Sequence, residues 1–186
     1  MNEIMNWFVQ TNADARNLAI GGVVYALVTI IWLFIGVALR ATNGATLGWL
    51  FVAAAGLMAV SIFAASQLPI APATAEQSNI GRWFGIIFAW EGIFIGVGSG
   101  ILVAMGRPNW ILSWVALVVG LHFFPLAYLL NLRLDYVLGV CIVVLVVVTS
   151  TLDLDTRRTV LTLGTAAMLW MAGVGRLIAA YHDINV

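Results

Sequence analysis

Three ionisable side chains interrupt long apolar stretches: Glu91, His122 and Arg176. A carboxylic acid beside an imidazole can bind or relay a proton, or hold a polar solute by hydrogen bonds. A guanidinium can clamp a carboxylate. In hydrocarbon a charged side chain costs roughly 2.5–3.5 kcal/mol on insertion scales, so such residues turn to a bundle interior and find partners there. The turn Gly106-Arg107-Pro108-Asn109 is short, which makes the stretches on either side antiparallel neighbours. Glu91 lies 16 residues before Arg107 and His122 lies 15 after it. At about 1.5 Å per residue the two side chains fall at nearly the same depth. Arg176, seven residues before Asp183, belongs to the same half of the layer. A buried polar cluster of Glu91, His122 and Arg176 is therefore expected. The plainer reading of these residues is structural: an ion pair that fixes helix register, an arginine reaching for headgroups, and a hydrogen-bonded histidine on a face of Val115, Val118, Val119 and Leu126.

The elements that carry these residues are legible from composition and spacing. Of 186 residues, 63% are hydrophobic and 9% charged, far from the balance of a soluble domain. A soluble fold of this size has too much surface to hide that excess. Spanning a bilayer takes about 20 apolar residues, and the sequence predicts six such helices near 17–39, 46–68, 81–105, 110–130, 134–151 and 158–181. They are separated by Thr42-Asn43-Gly44, Pro69 to Asn79, the turn at Arg107, Asn131 to Asp135, and Thr151 to Arg158. The expectation is an all-α bundle of six transmembrane helices, one domain over 1–186, with both termini on one side. Trp83, Tyr128, Tyr136 and Tyr181 mark the termini side, and Trp49 and Trp110 the other. The arginines divide almost evenly between the sides and give no orientation. The first ten residues lack the basic region and cleavage site of a signal peptide. Ile4, Met5 and Phe8 share a face that suits a short interfacial helix.

Small residues mark candidate packing faces. Gly92, Gly96 and Gly100 follow the spacing that lets two helix backbones approach closely. In the first helix Gly22, Tyr25, Thr29, Trp32 and Gly36 form a stripe, with Tyr25, Thr29 and Trp32 polar enough to line a cavity. In the last, Thr162, Thr165, Ala172 and Gly173 share a side with Arg176, and Thr165 is a further candidate for lining a cavity.

Several chemistries are excluded. The chain has no lysine, hence no retinal Schiff base, and one intramembrane histidine, hence no bis-histidine haem within the chain. One cysteine, Cys141, forms no internal disulfide. Two histidines with that cysteine make a structural zinc site improbable. Position 97 is valine, so Gly96-Val97-Gly98-Ser99-Gly100 misses the G-x-S-G of rhomboid proteases. Asp153 and Asp155 read as a helix cap before cations rather than a metal pair. Scattered cations and zero net charge give no nucleic-acid footprint. No metal or other cofactor is expected, and no catalytic residue is assigned. The partner expected is the bilayer, with a second copy or another membrane subunit as a further one.

The segment WVALVVGLHFFPLA from Trp114 to Ala127, with Trp90-Glu91-Gly92 and Gly106-Arg107-Pro108 before it, resembles a group of small bacterial integral membrane proteins without assigned activity. The likeness covers the middle third of the chain and implies a bacterial inner membrane. Two roles follow from the residues themselves. One is binding or passage of a small solute or proton at Glu91 and His122. The other is a non-catalytic structural or assembly subunit docking through the glycine stripe.

Overall fold

The computed structural model describes residues 15–39, 44–68 and 75–184. The proposed N-terminal interfacial helix, Arg40, the start of the first turn and residues 69–74 of the longest loop lie outside the described residues. Among those described there are six α-helices, one short 3-10 turn and no strand. The helices are α1 (Ala15–Ala38), α2 (Gly44–Gln67), α3 (Ala75–Ala104), α4 (Ile111–Leu130), α5 (Arg133–Thr149) and α6 (Leu154–Ile184), with the 3-10 turn at Pro108–Trp110. All six sit where the apolar periods place them, within a few residues at most ends.

Five segments are long and apolar enough to cross a membrane: Arg16–Ala38, Gly44–Gln67, Gly81–Ala104, Pro108–Leu130 and Leu154–Tyr181. The chain is thus suited to an integral, multi-pass membrane protein. The exception is α5, whose 17 residues span about 26 Å at 1.5 Å each, short of a hydrocarbon core of about 30 Å.

The described helices group into two compact units. One holds α3, α4 and α5; the other holds α1, α2 and α6. In the first unit, α3 ends at Gly106, whose φ of 69° is left-handed. The N–H of Arg107 donates to the carbonyl of Leu102 at 2.8 Å and that of Gly106 to Val103 at 2.9 Å, a Schellman closure that meets carbonyls the helix leaves open. Pro108 then starts the 3-10 turn, where a missing N–H does no harm. The end of α4 repeats the device with Asn131 at φ 50°: Leu132 donates to Ala127 at 3.0 Å and Asn131 to Tyr128 at 3.4 Å. At the end of α5 the hydroxyls of Thr149, Ser150 and Thr151 donate to the carbonyls of Leu145, Val147 and Val148 at 2.6–2.9 Å.

Close approach in this unit centres on Gly120 of α4 and Gly139 of α5. A Cβ at Gly139 would meet the Gly120 carbonyl at 2.8 Å and the Phe123 Cβ at 3.2 Å. In the second unit, a Cβ at Gly173 of α6 would meet Leu57 at 2.8 Å and Tyr25 at 3.1 Å, and one at Gly22 would meet the Ser61 hydroxyl at 2.6 Å. Phe34 stacks edge-on to Phe51 at 4.9 Å, and the Trp170 indole donates to the Ala53 carbonyl at 3.2 Å.

These contacts set an order of sensitivity. Gly139→Ala forces a methyl onto a backbone carbonyl and should lower thermal stability in detergent by about 1–3 kcal/mol. Gly48→Ala meets nothing within 4 Å and should be neutral or stabilising by up to about 1 kcal/mol. Equal melting of both variants would mean that α4 and α5 do not pack through glycine.

Candidate functional site

The helix pair α3 and α4 encloses a groove of about 770 Å³. Its α3 wall repeats at helical spacing: Trp83, Ile87, Trp90 and Phe94, with Glu91 beside them. The α4 wall is Trp114, Val118, Leu121, Pro125 and Tyr128, with His122 beside them. The rim is open: Trp83, Trp90, Phe94, Leu121 and Tyr128 are all exposed, whereas Val118 is buried. Glu91 and His122 form the buried polar floor, with side chains 12% and 8% exposed.

The register of the walls is set by Trp114. Its indole N–H donates to the Phe94 carbonyl at 2.9 Å, bridging the helices one turn along α3 from Glu91. The indole lies against Gly98 so closely that an added Cβ there would collide with it. Glycine at 98 is therefore required for the bridge.

On the floor, Nδ1 of His122 lies 3.3 Å from Oε1 of Glu91. The pair is close enough for ionic attraction, but its alignment does not make a hydrogen bond, and both imidazole nitrogens are buried without a hydrogen-bond partner among the described residues. The ring is fixed by aromatic contact instead, edge-on to Phe88 at 5.0 Å and tilted against Phe123 at 4.7 Å. Pro125 lies inside α4 and has no N–H, so the Leu121 carbonyl loses its helical donor. Both residues line the groove. Beneath its aromatic walls the site therefore presents a carboxylate and an imidazole whose nitrogens make no hydrogen bond among the described residues.

The three residues grouped by depth do not fall in one unit. Glu91 and His122 share the first, whereas Arg176 belongs to the second. There Arg176 is buried, its guanidinium 4.7 Å over the Tyr25 ring and its Nη2 3.5 Å from the Tyr25 hydroxyl. Gly21 leaves room for it: a Cβ at that position would collide with the guanidinium. Depth along a helix does not say which way a side chain turns, and Tyr25, an aromatic partner for a cation, lies in its own unit. Tyr25, Thr29 and Trp32 are buried there, as is Thr165. The Thr29 hydroxyl donates to the Tyr25 carbonyl at 2.8 Å, while Ser61, Thr162 and Thr165 keep buried hydroxyls without a hydrogen-bond partner among the described residues.

Gly92, Gly96 and Gly100 are placed differently from Gly98. No described atom outside their own helix comes within 4 Å of a Cβ built on any of them, and all three are exposed. Among the described residues, the glycine of α3 that meets a neighbour is Gly98. Sequence spacing could not single it out, because it depends on Trp114 facing it across the turn. No group of three or more potential metal ligands occurs among the described residues; Asp155 instead lies 3.9 Å from Arg158 one turn along.

No family model, curated protein or solved structure matches this chain. The site is accordingly read from its own chemistry.

The two glycine environments should separate by substitution. Gly98→Ala should displace Trp114 and lower stability by about 1–3 kcal/mol, with a shift in tryptophan fluorescence. Gly96→Ala should leave both unchanged in the isolated chain. An unmoved indole spectrum in Gly98→Ala would show that the bridge is not held by that contact.

Proposed function

We propose that this chain is an integral membrane protein, at home in a bacterial inner membrane, that binds a small solute in the α3–α4 groove with Glu91 and His122 as the polar centre. The observation that carries this is the juxtaposition of an open, aromatic-walled groove with a buried imidazole lacking a hydrogen-bond partner. Ligand sites are concave, mostly apolar, and oriented by a few polar groups, and a native buried polar group is ordinarily satisfied. The exposed rim favours entry sideways, from the acyl chains, over a path across the bilayer. A proton is a second cargo proposed for the same pair, since a carboxylate and an imidazole can each take one up. The role is binding or passage rather than covalent catalysis. The inner-membrane assignment rests on the resemblance carried by Trp114 to Ala127.

The open glycine stripe supports a second reading. Gly92, Gly96 and Gly100 offer an exposed small-residue face on which a second copy of the chain, or another membrane subunit, could dock at close range. On that reading the protein is a structural or assembly subunit, and Gly96→Leu breaks self-association while leaving the single chain folded.

In the topology proposed here α5 also crosses, for six spans with both termini on one side. Cysteines introduced at Asn109 and Thr151 in a Cys141→Ser background should then label from one side of the membrane, and one at Asn131 from the other. Labelling of Asn131 and Thr151 from the same side would remove α5 from the spans.

The groove itself is tested with adamantyl diazirine, a neutral lipophilic photolabel, on the purified protein in nanodiscs. Adducts should concentrate in residues 83–94 and 114–129, and Val118→Trp, which fills the buried wall, should reduce them severalfold. Labelling spread evenly over all helices in both proteins would reject a binding groove.

A further inference from the structure

We propose that the groove selects a lipophilic protonated amine that carries at least one N–H. This rests on the groove reading above and adds the chemical class of the ligand.

Charge complementarity points to it. Thirteen residues line the groove, among them one acid, Glu91, and neither arginine nor lysine. The acid's counter-charge within the groove is a proton on His122 or a cation brought by the ligand. A carboxylate in apolar surroundings is poorly solvated, and it attracts a nearby cation more strongly than it would in water. The walls favour the same charge. Trp83, Trp90, Phe94 and Trp114 present aromatic rings around the acid, and ring faces attract organic cations.

The polar inventory then separates amines from quaternary ammonium groups. With the imidazole neutral, the floor offers two acceptors: the Glu91 carboxylate and one bare nitrogen of His122. The indole N–H of Trp114 is already given to Phe94. An R–NH3+ or R2NH2+ group supplies the missing donors to carboxylate and imidazole together. A quaternary ammonium brings the charge but no donor, and His122 stays unsatisfied. An alcohol brings one donor and no charge. The hydrocarbon part of the ligand lies between the aromatic walls and leaves by the rim, where Tyr128 is 83% exposed.

The test uses the unmodified protein in nanodiscs and three competitors of equal chain length against adamantyl diazirine: octylammonium, octyltrimethylammonium and octanol, compared at equal membrane mole fraction. Octylammonium should suppress groove labelling at concentrations at least about tenfold below either of the others. Glu91→Gln should bring the three together, and His122→Phe should narrow the difference between the two cations. Equal competition by all three overturns the amine assignment and leaves the groove reading standing. Equal competition by the two cations, both ahead of octanol, overturns the N–H requirement and with it the proposal. Failure of the photolabel to find the groove at all is a separate result, seen before any competitor is added, and removes the reading on which this one rests.

Discussion

Hydrocarbon supplies no hydrogen-bond partners, so each polar group of a helix crossing it must be met inside the protein or placed at an end. The helix termini here follow that constraint closely. Left-handed residues at Gly106 and Asn131 fold the last N–H groups back onto open carbonyls. Three consecutive hydroxyls do the same work after Val148. Tight ends keep the turns short, short turns force antiparallel neighbours, and antiparallel neighbours fix which residues of α3 and α4 share a depth. The approach of Glu91 to His122 descends from those closures.

The floor of the groove lacks such closure. In this unit the Trp114 indole meets the Phe94 carbonyl, while Ser113 keeps a buried hydroxyl without a hydrogen-bond partner among the described residues. At His122 two nitrogens are buried and left open, in contact with aromatic rings that hold the imidazole without satisfying it. Burying a polar group without a partner costs roughly 1–3 kcal/mol by protein mutational measures. A cost of that kind persists where a ligand or water removes it, and the open aromatic rim lies directly above.

Glycine does two separate jobs in the chain. At Gly120 and Gly139 it lets backbones meet, and at Gly21 and Gly98 it leaves room for a guanidinium or an indole. The spaced stripe at Gly92, Gly96 and Gly100 performs neither job within the described chain.

Sequence by itself determined the helical class, the position of the six helices and the depth match of Glu91 with His122. Apolar length, cap residues and a constant rise per residue are local quantities, and they need no knowledge of neighbours. It did not determine azimuth or partnership. Arg176 shares a half-layer with Glu91 by count, yet its place over Tyr25 depended on the rotation of α6 and on the room at Gly21. Gly98 looks interchangeable with Gly96 in the chain, and only the indole opposite separates them. Helices that are apolar on most faces carry almost no periodic signal about which face turns inward, because lipid and protein interior are similar solvents for them. Tertiary packing made that choice through small steric differences that the pattern of residues does not encode.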